Sequence, residues 1–69
     1  MKWVDLTDAL FCRAEHHLFM IKRPEYRNDI IEWRCLDSSN RIIADGKTVS
    51  MRVAKQACKD ILAKLKRRV

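Results

Sequence analysis

The sequence predicts an α+β fold, in which an antiparallel β-meander of three to four strands packs against one C-terminal α-helix. Residues 50–68 show helical periodicity without a Gly or Pro. Residues 30–36 alternate between apolar and polar side chains, and turn-forming residues separate them from a second strand-like segment at 41–45. The length of 69 residues suits one domain, so we expect a single domain over residues 1–69.

The C-terminal helix is the clearest element. Ser50 is a suitable N-cap, because its hydroxyl can accept a hydrogen bond from a free backbone amide of the first turn. At about 100° per residue the following segment has one apolar face. That face comprises Ala54, Ala57, Cys58, Ile61, Leu62 and Leu65. We therefore expect the helix to cover one face of the sheet.

Two strands before the helix form a predicted hairpin. In residues 30–36 the alternation places Ile31, Trp33 and Cys35 on one face, with the charged residues between them on the other. Asp and Asn at positions 37 and 40 favour a turn. The returning strand over residues 41–45 is predicted to end at Gly46.

The N-terminal half is less clearly patterned. Residues 18–22 predict an edge-side strand, ended by Pro24, and residues 25–29 a polar loop. Residues 3–16 fit either a helix capped by Thr7 or Asp5, or a strand. The strand would place Cys12 and Ala14 inward and would need a tight turn at His16–His17. We prefer the strand, which gives four strands and one helix; the alternative order is α-β-β-β-α.

One face of such a sheet has no cover in a chain of this size. We expect Phe19, Ile21 and Leu36 on that face. An exposed apolar face favours dimerisation or partner binding, so a homodimer through it is one expectation.

Charge is segregated along the chain. Residues 46–69 carry a net charge of +7, whereas residues 1–45 sum to −1. A nearly neutral body with a strongly basic C-terminal element points toward an anionic partner.

Four cations of the predicted helix define what we call the basic stripe: Arg52, Lys55, Lys59 and Lys66. They fall within about 60° on the helical wheel and along about 21 Å of helix. A row of cations can displace the counterions of a phosphate backbone, so nucleic acid is the expected ligand. Lys47 and Arg67 are expected as flanking contacts. The alternative is an ordinary solvated helix surface, where lysine is common.

No set of base-reading side chains accompanies the stripe. Gln56 is the only amide near it, so we expect contacts to the backbone without sequence recognition. The aromatic residues offer a second mode, stacking of single-stranded bases. Trp33 is better explained as core, whereas Trp3 and Tyr26 lie near polar ends of elements.

The segment from residue 30 onward resembles the second half of a double-stranded-RNA-binding domain. Ser50, Arg52, Ala54, Lys55 and Ala57 stand where that family has its serine, lysines and alanines. The resemblance implies three strands followed by an RNA-binding helix.

The whole chain also resembles small accessory proteins encoded by bacteriophages and prophages. The shared positions are an N-terminal Trp3, a hairpin over residues 11–21, a strand with an internal Trp33, a strand ending in Gly46, and a Ser50-capped helix carrying Ala54 and Lys55. This resemblance implies an inhibitor of host defence, similar to anti-CRISPR proteins, that binds a host protein or nucleoprotein complex.

Catalysis, metal binding and membrane insertion find little support. No phosphate-binding glycine loop or nucleophile motif is present, so we expect no enzymatic activity and no cofactor. Cys12 and His16 would share a face only on a helix, and a zinc site needs more ligands, so we expect no metal. Cys12, Cys35 and Cys58 are predicted to be reduced thiols. Without a signal-like or membrane-spanning run, we expect a cytosolic protein.

Overall fold

The computed structural model describes residues 2–24 and 29–67. Within these residues five strands precede one helix: β1 (Val4–Asp5), β2 (Ala9–Ala14), β3 (His17–Lys22), β4 (Ile31–Leu36), β5 (Ile42–Thr48) and α1 (Met51–Arg67). The strands form one antiparallel sheet in the order β1-β2-β3-β4-β5. The predicted α+β fold is confirmed, with slightly more strands than expected. Residues 25–28 of the predicted loop at 25–29, which include Tyr26, lie outside the described residues, as does Arg68.

The ambiguous N-terminal segment is extended, so the α-β-β-β-α alternative is wrong. Two short strands, β1 and β2, occupy it, and Cys12 is buried inward as the strand interpretation predicted. The turn that follows lies one residue earlier than expected. Glu15 and His16 occupy it with φ values of 51° and 61°, while His17 already belongs to β3. Positive φ at both central residues is the pattern of a type I′ turn, whose twist matches the flanking strands.

Strand β3 is central, not at an edge as predicted. It pairs with β2 on one side and β4 on the other, and it ends at Lys22, so Pro24 does not interrupt a ladder. Its register also corrects the prediction for Phe19 and Ile21. These residues pair with Cys35 and Trp33 and are fully buried on the helix-covered face. Since side chains alternate along a strand, an offset of one residue exchanges the two faces.

The β4–β5 turn follows its predicted chemistry. Asp37 Oδ1 accepts hydrogen bonds from the backbone amides of Ser39 (2.8 Å) and Arg41 (3.0 Å). Asn40 adopts the left-handed conformation, with φ of 63°. The hydrogen bond from the Arg41 amide is the main reason that the pKa of Asp37 is lowered. A charged Asp37 therefore stabilises this turn.

Gly46 lies inside β5, so the prediction that the strand ends there is wrong. It pairs directly with Trp33 across the sheet. A Cβ atom at position 46 would lie 2.5 Å from Cζ2 of Trp33. The glycine therefore leaves room for the indole ring and lets the strand continue to Thr48.

The core lies between the sheet and α1. It is formed by buried sheet and helix residues, namely Leu10, Cys12, Phe19, Ile21, Ile31, Cys35, Ala54, Cys58 and Leu62. All three cysteines are free and buried. Burial is the main cause that raises the pKa of the Cys58 thiol to about 12, with Cys35 and Cys12 adding to it. Burial, with a smaller effect of Asp37, also raises the pKa of Cys35.

The opposite side of the sheet, which we call the open face, is not covered by α1. Cross-strand pairing places an apolar group there, namely Val4, Phe11, Leu18, Met20 and Leu36. Val4 is 58% exposed and the others are half-buried. Of the three residues expected on this face, only Leu36 lies there.

Candidate nucleic-acid interface

Helix α1 is uninterrupted from Met51 to Arg67. The predicted cap is present, since the amide of Val53 donates to Ser50 Oγ at 3.4 Å and the amide of Ala54 donates to the Ser50 carbonyl at 3.0 Å. The bond from Val53 satisfies an amide that an α-helix leaves free in its first turn, and the bond from Ala54 is the first hydrogen bond of the helix itself. The cap fixes where the helix begins, immediately after β5.

Three buried residues fix the rotation of α1 about its axis. Ala54 and Cys58 are completely buried and Leu62 is 7% exposed, so the spacing of four residues defines the side turned to the sheet. Lys55 and Lys59 each follow one of these buried positions and therefore lie about 100° further around the helix. The rotation turns one flank of the helix, with its cations, to the outside.

All four residues of the basic stripe are exposed: Arg52, Lys55, Lys59 and Lys66. Among residues 2–24 and 29–67, none of them forms an ion pair. The one acid of the helix, Asp60, instead accepts a hydrogen bond from Gln56 Nε2 at 2.9 Å. The stripe therefore keeps its full charge available to a ligand.

The two predicted flanking cations have different surroundings. Arg67 is exposed in the last turn, about 60° around the helix from Arg52. Lys47 lies on the opposite side of the sheet from α1, with its Nζ 3.8 Å from Glu32 Oε1. The structure therefore brings the four stripe residues together, with Arg67 at their margin, and separates Lys47 from them.

Trp3 completes a surface that the sequence did not reveal. The pairing of Val4 with Phe11 puts Val4 on the open face, and Trp3, one residue earlier, points to the helix side. Trp3 packs against the core and lines a pocket of about 490 Å³ at the side of α1. The other lining residues are Met51, Arg52, Lys55, Gln56 and Lys59. We call this the Trp3 pocket.

Three of the four stripe cations thus border one aromatic pocket. Arg52 supplies a planar guanidinium that can donate to two oxygens, and Lys55 and Lys59 supply point charges. Trp3 supplies an aromatic surface beside them. The chemistry that this combination offers is binding of an anion that also carries a flat apolar group.

The Cys12–His16 pair does not form a site. Cys12 is buried on the helix-covered face, whereas His16 is exposed in the β2–β3 turn. Within the described part of the chain, no group of three His, Cys, Asp or Glu side chains could hold a metal ion.

Comparison with protein-family models, curated proteins and solved structures finds no match for this chain. None of the described residues belongs to a helix with the length and apolar character needed to cross a membrane.

Proposed function

We propose that this small basic protein binds nucleic acid through the exposed flank of α1, by contacts to backbone phosphates and without reading base sequence. The basic stripe makes these contacts, and Arg67 extends them. No catalytic step and no cofactor belong to this function. Its place of action is the cytosol, or the host cytosol if the protein is encoded by a phage.

The observation that carries this proposal is that the four stripe cations form a row without acidic partners among the described residues, whereas Arg23, Arg34 and Lys47 have such partners. Arg23 forms an ion pair with Asp5. Glu32 has two cationic neighbours, with its Oε2 at 3.5 Å from Nη2 of Arg34 and its Oε1 at 3.8 Å from Nζ of Lys47. The described stripe residues have no acidic partner of this kind. A row of unpaired cations on a rigid element suits phosphate contacts, because each contact releases a condensed counterion.

A matched pair of variants tests the proposal. Lys59→Glu reverses a charge within the stripe, and Lys64→Glu makes the same change about 140° away on the same helix. We expect Lys59→Glu to weaken binding about tenfold for oligonucleotides of unrelated sequence, and Lys64→Glu to have a clearly smaller effect. Fluorescence anisotropy at fixed salt, with labelled single- and double-stranded probes, measures both.

Two results would count against the proposal. Equal losses in the two variants would mean that only net charge matters, not the position of the stripe. Unchanged affinity when Lys55 and Lys59 are both replaced by Glu would mean that this flank of α1 makes no contact with the ligand.

A second candidate function is an inhibitor that binds a host defence protein or nucleoprotein complex, as anti-CRISPR proteins do. The observation that favours it is the open face, where Phe11, Leu18 and Met20 are half-buried and no element within residues 2–24 and 29–67 covers them. An apolar patch of this kind can anchor a protein partner, while α1 meets an acidic surface or a nucleic-acid channel.

Capture of partners from host lysate, with and without nuclease, separates the two functions. A partner held by the open face should remain after nuclease and at raised salt, whereas a phosphate backbone should be lost under both conditions. The same face could join two copies of this chain, and the solution mass of the purified protein tests that homodimer directly.

A further inference from the structure

The Trp3 pocket places an aromatic ring and phosphate-binding cations at one position on the surface. Trp3 is half-buried because its ring packs against the core, and its remaining surface lines the pocket. Arg52, Lys55 and Lys59 are exposed around it. A ring held in place by core packing loses little conformational freedom when a ligand stacks on it.

We infer that the Trp3 pocket receives an unpaired nucleobase, so that the protein prefers single-stranded over double-stranded nucleic acid. This inference rests on the proposed function and adds the stacking residue and the strandedness of the ligand. The base stacks on the Trp3 indole while Arg52, Lys55 and Lys59 bind the adjoining phosphates.

The shape of the site favours a single strand. Bases inside a duplex stack on each other. The Trp3 indole, which lies beside α1, could reach the face of such a base only if the base were first unstacked. A single strand presents both a base face and its phosphate within a short distance. The pocket volume of about 490 Å³ lies within the range of small-ligand sites, which leaves room for one base with its sugar.

The lining of the pocket also explains why we expect no preference for one type of base over another. Gln56 carries the only side-chain amide among the described residues that line it, and its Nε2 already donates a hydrogen bond to Asp60. Every base has a flat face that can stack on indole, whereas discrimination requires several polar groups directed at the base edge. The site therefore combines stacking with phosphate contacts and accepts DNA or RNA strands of mixed sequence.

The test compares single-stranded probes of equal length and charge that differ in their bases or sugars, together with a duplex, which carries about twice their charge. The probes are an oligothymidylate of about 12 nucleotides, an abasic strand of the same length, an oligouridylate, and a duplex of that length. We expect wild-type protein to bind oligothymidylate several-fold more tightly than the abasic strand. Trp3→Ala should lower affinity for oligothymidylate about tenfold and leave the abasic strand within about twofold. The oligouridylate arm shows whether RNA strands are received as well as DNA.

Trp3→Phe is the matched control, because it keeps an aromatic ring and most of the packing against the core. We expect it to retain most of the affinity for oligothymidylate. If Trp3→Ala does not fold, Trp3→Phe still tests the role of the indole through fluorescence. The intrinsic fluorescence of wild-type protein should be quenched by oligothymidylate, and this quenching should be strongly reduced in Trp3→Phe.

Failure of this inference differs from failure of the proposed function. If the wild-type protein binds the abasic strand and the duplex as tightly as oligothymidylate, the pocket receives no base, although the stripe still binds phosphates. Equal weakening of all probes by Trp3→Ala, with normal folding, would also overturn the stacking role. If the wild-type protein binds no probe, both proposals fail.

Discussion

Glu15 and His16 occupy the β2–β3 turn with positive φ, a conformation that disfavours side chains carrying a Cβ. Glycine adopts it without this penalty. We expect His16→Gly to raise the free energy of unfolding by about 1 kcal/mol, measured by urea denaturation.

Ser38 provides the matched control for this change. It lies in the β4–β5 turn and does not have positive φ, so Ser38→Gly should lower stability slightly through added chain entropy in the unfolded state. A loss of stability in His16→Gly would contradict the left-handed geometry of the β2–β3 turn.

Asp37 makes the β4–β5 turn sensitive to acid. Its pKa is lowered from the usual 3.8, mainly by the hydrogen bond from the Arg41 amide, so the folded state favours the charged carboxylate. This carboxylate therefore stabilises the fold fully at pH values above the pKa that Asp37 has in the unfolded chain. The stabilisation is lost as the pH falls through the pKa of Asp37 in the folded protein. We expect Asp37→Asn to show a smaller loss of melting temperature on acidification than wild type, in thermal scans from neutral to acidic pH. Equal acid sensitivity of the two proteins would contradict this role.

At the level of elements, the β4–β5 ladder depends on the absence of a side chain at position 46. Gly46→Ala would bring its Cβ into contact with the Trp33 ring, and the indole would have to move from the core. We expect a loss of about 1–3 kcal/mol in the free energy of unfolding, together with a changed near-ultraviolet circular dichroism signal of tryptophan. Asp45→Ala, one residue earlier on the exposed side, is the control and should leave that signal intact. Retention of both stability and signal in Gly46→Ala would contradict the close packing.

The helix and the β4–β5 hairpin could be predicted because their signals are local. Ser50, the apolar face of α1 and the turn chemistry of Asp37 each act within a few residues. The strand register could not be predicted, because alternation alone does not say which face of β3 meets the helix. The predicted face of Phe19 and Ile21 is wrong for this reason. The predicted strand end at Gly46 is wrong because the contact of Gly46 with Trp33 is a tertiary one, which local signals do not contain.

The candidate site, like the fold, could be predicted from the sequence only where the signals are local. The basic stripe follows from helical spacing, so its four exposed cations could be placed from the sequence. The position of Trp3 beside the stripe and the separation of Lys47 from it could not be predicted, because both depend on how distant strands pair. A lone tryptophan before a two-residue strand gives no local signal of the pocket that it lines.

At the scale of the whole molecule, the three thiols report on the integrity of the core. Cys12, Cys35 and Cys58 are all buried, and the pKa of Cys58 is raised to about 12. We expect them to react with a thiol reagent such as dithionitrobenzoate only as fast as the protein unfolds, and immediately in denaturant. Rapid reaction of a thiol in the native protein would contradict the packing of α1 on the sheet.

The same thiols make the fold sensitive to alkali. The unfolded Cys58 thiol ionises near pH 9.0 and the folded one near 12, so the unfolded state binds fewer protons between these values. The protonated Cys58 thiol therefore contributes fully to the free energy of unfolding below pH 9.0, and this contribution decreases as the pH rises toward 12. Cys58→Ala should show a smaller alkaline decrease in the free energy of unfolding than wild type, as measured by urea denaturation at several pH values.

Charge segregation across the whole molecule predicts a strong dependence on ionic strength. If the stripe binds phosphates, log affinity should fall linearly with log salt, and Lys55→Gln should reduce that slope by roughly one unit. The matched change Lys64→Gln should leave the slope closer to that of wild type. A slope that is the same in wild type and Lys55→Gln would exclude Lys55 from the contact.

The order of the sheet has a consequence for how the chain reaches its native state. Every strand pairs with its neighbour in the sequence, and the helix follows the last strand. During synthesis each hairpin can close as soon as its second strand leaves the ribosome, without waiting for a distant partner. The docking of α1 needs the sheet on which it packs, and α1 follows all five strands, so the element that carries the cations is also the one that completes this fold.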